Sequence, residues 1–132
     1  MATATLTIKD ETSGGKIINE INISLKQESV SVQEIIEARV EYEVKVYNDK
    51  LPEYFQGLVQ PTNAEKTLNG YKMRERKKVD PEKQVYIALD AFQKNAYFVL
   101  VDDKQVESLE QTIVVKPQTV VSFVKLTPLV GG

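Results

Sequence analysis

The sequence predicts an α+β domain in which one main helix crosses a mixed sheet, and three observations carry that expectation. Residues 4–26 hold two alternating apolar–polar runs around a glycine turn. Residues 31–48 hold a capped helical stripe, and residues 97–126 return to short β-type runs. At 132 residues the chain has the length of a single domain (1–132) and can bury one core. Its apolar fraction of 42% and charged fraction of 27% are those of an ordinary globular protein.

Ala4-Thr5-Leu6-Thr7-Ile8 alternates at period two, as a half-buried strand does. The segment Asp10 to Gly15 follows as turn chemistry, its two glycines free to take positive φ. Ile21, Ile23 and Leu25 then alternate with Asn22, Ser24 and Lys26, so the opening reads as a β-hairpin. Next, Ser31-Val32-Gln33-Glu34 matches a capping box, in which each side chain satisfies an orphan donor of the first helical turn. Val32, Ile36, Val40, Val44 and Tyr47 continue one apolar face to about Asn48, and Leu51-Pro52 stops it. Glu34, Glu37, Glu41 and Glu43 are expected on the solvated side, with Glu41–Lys45 as an i,i+4 pair.

Residues from about 49 to 95 read as a helical insertion. Thr62 and Glu65 match the cap of a short helix that Gly70 would end. The basic run Lys72, Arg74, Arg76, Lys77 and Lys78 contains Glu75 and is expected as a solvated linker or helix face. Asp80-Pro81 is a cap followed by proline at the first helical position. Val85, Ala88, Leu89 and Phe92 form the inner face of a second helix, and Asn95 is its left-handed stop. Tyr42, Tyr54, Phe55 and Tyr71 belong to an added packing surface or to an oligomer contact. In the last third, Tyr97 to Val101 is a strand suited to burial, turned by Asp102-Asp103-Lys104, with Gln105-Val106 pairing back. Thr112 to Val115 is extended, Lys116-Pro117-Gln118 turns, and Val120 to Leu126 is the final strand.

Composition narrows function by what it lacks. There is no Cys and no His, which removes thiolate nucleophiles, disulfides, Cys/His zinc sites and His-assisted serine chemistry. No P-loop, G-x-G-x-x-G, EF-hand or G-x-S-x-G motif is present. The expectation is a protein that is not an enzyme and carries no cofactor or metal. A net charge of −2 makes no case for nucleic acid or an anionic membrane as partner. No apolar run is long enough to span a bilayer, and no signal peptide is visible, so a cytoplasmic protein is expected.

The chain finishes Leu126-Thr127-Pro128-Leu129-Val130-Gly131-Gly132. At average glycine usage, chance supplies a Gly-Gly ending in roughly 0.5% of chains. Hairpin, capped helix (Ser31 to Ile36), the stretch Val101 to Thr112, and Val120 to Gly132 together resemble the ubiquitin-like proteins. The last two stretches are similar in style to bacterial sulfur carriers, the molybdopterin-synthase small subunit and its thiamine-pathway relative. The resemblance covers about two thirds of the chain, the 49–95 insertion departing from it. It implies a β-grasp fold, with the last strand in mid-sheet and a free tail (127–132).

It further implies that an adenylating, ubiquitin-activating-type enzyme acts on the Gly132 carboxylate. Conjugating enzymes, a deconjugating protease and protein targets would be the other partners. Gly131 and Gly132 would be the conjugation site, with Leu126, Pro128, Leu129 and Val130 as docking tail. Proline there lacks an N–H and so would end ladder pairing. The alternatives are a sulfur carrier bearing a C-terminal thiocarboxylate and a non-conjugated assembly module. Self-association through the apolar tail is a further expectation.

Overall fold

In a computed structural model, which describes residues 4–125, the chain is α+β with a mixed five-stranded sheet and two helices. It divides into two compact units. One contains the described residues up to Ile35 and those from Phe92 onward, and the other is Ile36–Ala91.

The first unit is built on the sheet. Strands β1 (Ala4–Thr12) and β2 (Ile17–Leu25) form the expected hairpin, with Gly15 at φ 87° in its turn. Leu6 faces Ile23 and Ile8 faces Ile21, so the period-two pattern becomes one buried face. A register shift at Asp10/Glu11 interrupts the ladder before the turn. Strand β3 (Ser29–Ser31) pairs with β9 (Thr112–Val114) in a separate two-stranded ladder. Strand β7 (Tyr97–Val101) returns into β8 (Lys104–Gln105) through Asp102 and Asp103. Those two residues sit at φ 47° and 69°, the left-handed pair that a tight hairpin turn of this length requires.

Strand β10 (Val120–Lys125) lies in the middle of the sheet, whose order is β2-β1-β10-β7-β8. It runs parallel to β1 and antiparallel to β7. Phe123 is fully buried, and Tyr97 and Phe92 extend its aromatic contact.

Helix α1 (Val32–Lys50) starts in this unit and continues through the other. The capping box is formed in both directions: the Ser31 N–H donates to Glu34 Oε1 at 3.0 Å, and the Glu34 N–H to Ser31 Oγ at 3.1 Å. The next two orphan donors go to the loop before β9, Val32 N–H to the Gln111 carbonyl and Gln33 N–H to that of Leu109.

In the second unit α1 buries Ile36, Val40, Val44 and Tyr47, the expected stripe. It ends at Leu51, whose φ of 48° is followed by Pro52. Helix α2 (Pro81–Gln93) begins as expected: the Glu82 N–H donates to Asp80 Oδ1 at 3.0 Å, with proline next to the cap.

Between the helices the expected short helix does not form. Strands β4 (Tyr54–Phe55), β5 (Ala64–Thr67) and β6 (Gly70–Met73) make a three-stranded sheet in the order β4-β6-β5. The insertion is therefore helical only in its final part. Asn63 takes φ 65°, which a first helical turn cannot contain, and Gly70 takes φ 120° at the end of a hairpin loop. Thr67 Oγ1 closes that loop by donating to the Gly70 carbonyl at 2.7 Å. Among the described residues no helix is long and apolar enough to cross a membrane.

Candidate functional site

The arrangement with most bearing on function is the exit of β10. Because β10 is flanked on both sides, its last residues are held to the end of the ladder: Lys125 stands opposite Thr12 on β1 and Tyr97 on β7. The chain is thus delivered from the centre of the sheet rather than from an edge. Leu126, Pro128, Leu129, Val130, Gly131 and Gly132, which sequence reasoning assigned to docking and conjugation, all lie outside the described residues.

Polar groups missed by sequence reasoning fix this exit. Asp10 is buried, opposite Phe123 in the ladder, with one carboxylate oxygen 4.0 Å from Lys125 Nζ. The same oxygen accepts from Asn19 Nδ2 at 3.4 Å. A buried carboxylate is stable only when such partners replace its hydration. The signal was available: Asp10 continues the inward alternation Leu6, Ile8, although its neighbours read as a turn.

Next to the exit, the β7–β10 part of one sheet face is mainly apolar and partly exposed, while its β1 part carries Thr7, Lys9 and Glu11. Val124 lies opposite Phe98, and Ser122 opposite Leu100, so Phe98, Leu100, Val120 and Val124 share this face. In the same unit a cleft of 390 Å³ is lined by Phe92, Tyr97, Phe98, Val106 and Leu109 together with Glu107 and Glu110.

The second unit holds a buried ion pair. Arg39 is fully buried and its Nη2 lies 3.2 Å from Glu43 Oε2, while Glu43 Oε1 accepts from the Leu58 N–H at 3.2 Å. Sequence reasoning placed Glu43 on the solvated side, and the structure buries it. Positions 39 and 43 sit between the core positions 36, 40, 44 and 47, so helical spacing alone points both inward. The Glu41–Lys45 spacing makes no ion pair among the described residues. Nearby, burial pushes the Tyr71 phenol above its ordinary pKa, and the Glu43 carboxylate adds to the shift. Burial also raises Tyr47, partly offset by the Arg76 charge, and the Tyr47 hydroxyl has no hydrogen-bond partner.

Of the basic run Lys72 to Lys78, Lys72 lies in strand β6 with its Nζ 3.8 Å from Glu53, while residues 74–78 are exposed coil, as a solvated linker should be, with Lys77 Nζ 2.8 Å from Glu75. That contact lowers the Glu75 pKa and raises that of Lys77. Tyr54, Phe55 and Tyr71 belong to the small sheet, where buried Phe55 packs on Tyr47 at 5.4 Å between ring centres. Tyr42 instead stays exposed on α1. Among the described residues no three acidic side chains are grouped to hold a metal ion. No family model, curated protein or solved structure matches the chain.

Proposed function

We propose that the chain is a ubiquitin-like protein of the β-grasp type, and that the Gly132 carboxylate is activated and joined to amines of target proteins. The observation that carries this reading is the position of β10. A final strand held in mid-sheet, parallel to β1 and between the hairpin and β7, leads straight into Leu126–Gly132. The order hairpin, capped helix, β7-β8, central β10 supports this reading.

The chemistry follows from the poor electrophilicity of a carboxylate. A Gly132 carboxylate oxygen, whether at a free terminus or released by cleavage after Gly132, attacks the α-phosphorus of ATP. Pyrophosphate leaves and an acyl-adenylate remains. A partner's thiolate displaces AMP to form a thioester, and a lysine amine then displaces the thiolate to form an isopeptide bond. This chain has no Cys, so the thiolate comes from a partner. Glycine at 131 and 132 lets the tail enter a narrow catalytic channel without Cβ clashes. The partly exposed face of Phe98, Leu100, Val120 and Val124 offers the activating enzyme an apolar contact beside the exit.

The test is to incubate the chain with its cognate adenylating and conjugating enzymes, ATP and a target protein, and to read intact and peptide masses. Attachment to a target lysine, lost on deletion of Gly131-Gly132, is the expected result. Absence of an adenylate, or a product indifferent to the deletion, overturns the reading. An intact mass raised by one sulfur-for-oxygen exchange at Gly132, with no isopeptide product, assigns the same exit to sulfur transfer instead.

A further inference from the structure

A second surface is independent of the tail. In the Ile36–Ala91 unit, α1 and α2 border an open groove of 550 Å³. Val44, Pro81 and Val85 supply its apolar lining. Glu37, Glu41, Asp49 and Glu82 supply four carboxylates, against the one cation of Lys45. None of the four makes an ion pair among the described residues, so the lining carries an excess of negative charge. Exposed aromatic side chains adjoin the groove in sequence, Tyr42 (43% exposed) after Glu41 and Tyr86 (71% exposed) after Val85.

We propose that this groove docks a basic amphipathic helix of a partner protein. A pair of helices accepts a third in the furrow between them, read by apolar anchors one turn apart. The occupant's anchors would lie on Pro81 and Val85, above buried Val44, and its lysines or arginines would face Glu37, Glu41, Asp49 and Glu82. Charge complementarity selects the sign of the partner and speeds its approach. The chain's own basic run does not meet these requirements in a second copy. Residues 74–78 are coil, hold no apolar residue, and have Lys77 already engaged by Glu75.

The experiment uses the full chain and a fluorescein-labelled designed peptide, with leucine at i, i+3, i+4 and i+7 and lysine elsewhere. The comparison peptide carries glutamate for lysine. Anisotropy titration should show the lysine peptide binding at least about tenfold more tightly, with affinity falling as salt rises. The exposed double change Glu41→Lys with Glu82→Lys should weaken it about tenfold or more without disturbing the far-ultraviolet circular dichroism. Val85→Asp should do the same by spoiling the apolar lining. Glu107→Lys with Glu110→Lys, in the other unit, should leave binding unchanged. Equal binding of both peptides, no binding, or equal loss from the Glu107/Glu110 control overturns the proposal. So does a dimer by light scattering that Glu41→Lys with Glu82→Lys dissolves, which would make the occupant a second copy.

Discussion

The two compact units are stabilised by different means. The sheet unit is held by apolar alternation and a long ladder: Leu6, Ile8, Val99, Val121 and Phe123 are essentially without solvent contact, and β10 is paired along both edges. The Ile36–Ala91 unit has a sheet whose strands are only two to four residues long, and polar side chains fasten it at specific points. Glu43 accepts from the Leu58 N–H, and Gln84 Nε2 donates to the Val59 carbonyl at 2.9 Å. Asn48 both donates to and accepts from the Val79 backbone, at 3.0 and 2.8 Å. Area-driven burial is graded and tolerant of small changes in shape, whereas a buried hydrogen-bonding group is costly to leave unmatched.

The largest test of that contrast is the Arg39–Glu43 pair. Replacing Glu43 by Leu alone removes the carboxylate that faces the buried Arg39 guanidinium and should cost about 3–5 kcal/mol in urea unfolding. Replacing both residues, Arg39→Met with Glu43→Leu, should recover most of the loss. If the single change costs no more than an exposed substitution, the polar fastening of this unit is wrong. Asn48→Ala comes next, because it removes a donor and an acceptor from Val79 and should cost about 1–3 kcal/mol. Hydrogen exchange should then rise in residues 58–80 before it rises in β1 and β10. Ser31→Ala removes half of the capping box and should cost about 1 kcal/mol, with Ser31→Thr costing less.

The smallest effect concerns the phenols. Burial, first among the causes for both, holds Tyr47 and Tyr71 protonated above the ordinary value of about 10. The unfolded chain releases these protons first as pH rises. Their contribution is therefore complete below about pH 10 and is lost on passing upward through the folded values. Tyr47→Phe should be neutral or slightly stabilising at pH 7, since it removes a hydroxyl without a partner, and it should flatten the alkaline fall in stability. An unchanged alkaline slope in both Tyr47→Phe and Tyr71→Phe would refute the assignment.

The same contrast explains what could be read from residues alone. The hairpin, α1 with its cap, α2 with Asp80-Pro81, and β7 with its Asp102-Asp103 turn follow local rules, and each stands where alternation or capping puts it. The 62–70 stretch was misread because Thr62 and Glu65 match a cap in spacing, while Asn69-Gly70 is equally a hairpin signal. Left-handed Asn63 and the pairing of β5 and β6 with β4 decide between them, and that pairing is not local. Strand β3 escaped notice because its three residues owe their form to β9, far along the chain. Asp10, Arg39 and Glu43 each fall on a core-facing position, although turn chemistry points Asp10 outward and charge points Glu43 to the solvated side. The expected tail site lies outside the described residues, and only the strand that feeds it is on view.

The parallel pairing of β1 with β10 has a consequence for biosynthesis. The first described strand, already paired with β2, finds its other neighbour only in β10, so the hairpin must wait on the ribosome until Val120–Lys125 has been made. Contacts this distant in sequence are closed late and slow folding. The Ile36–Ala91 segment is synthesised meanwhile and is free to order during the wait. Closure of the sheet then follows synthesis of Val120–Lys125, and a chain truncated before Val120 would leave one edge of β1 open to strands of other molecules.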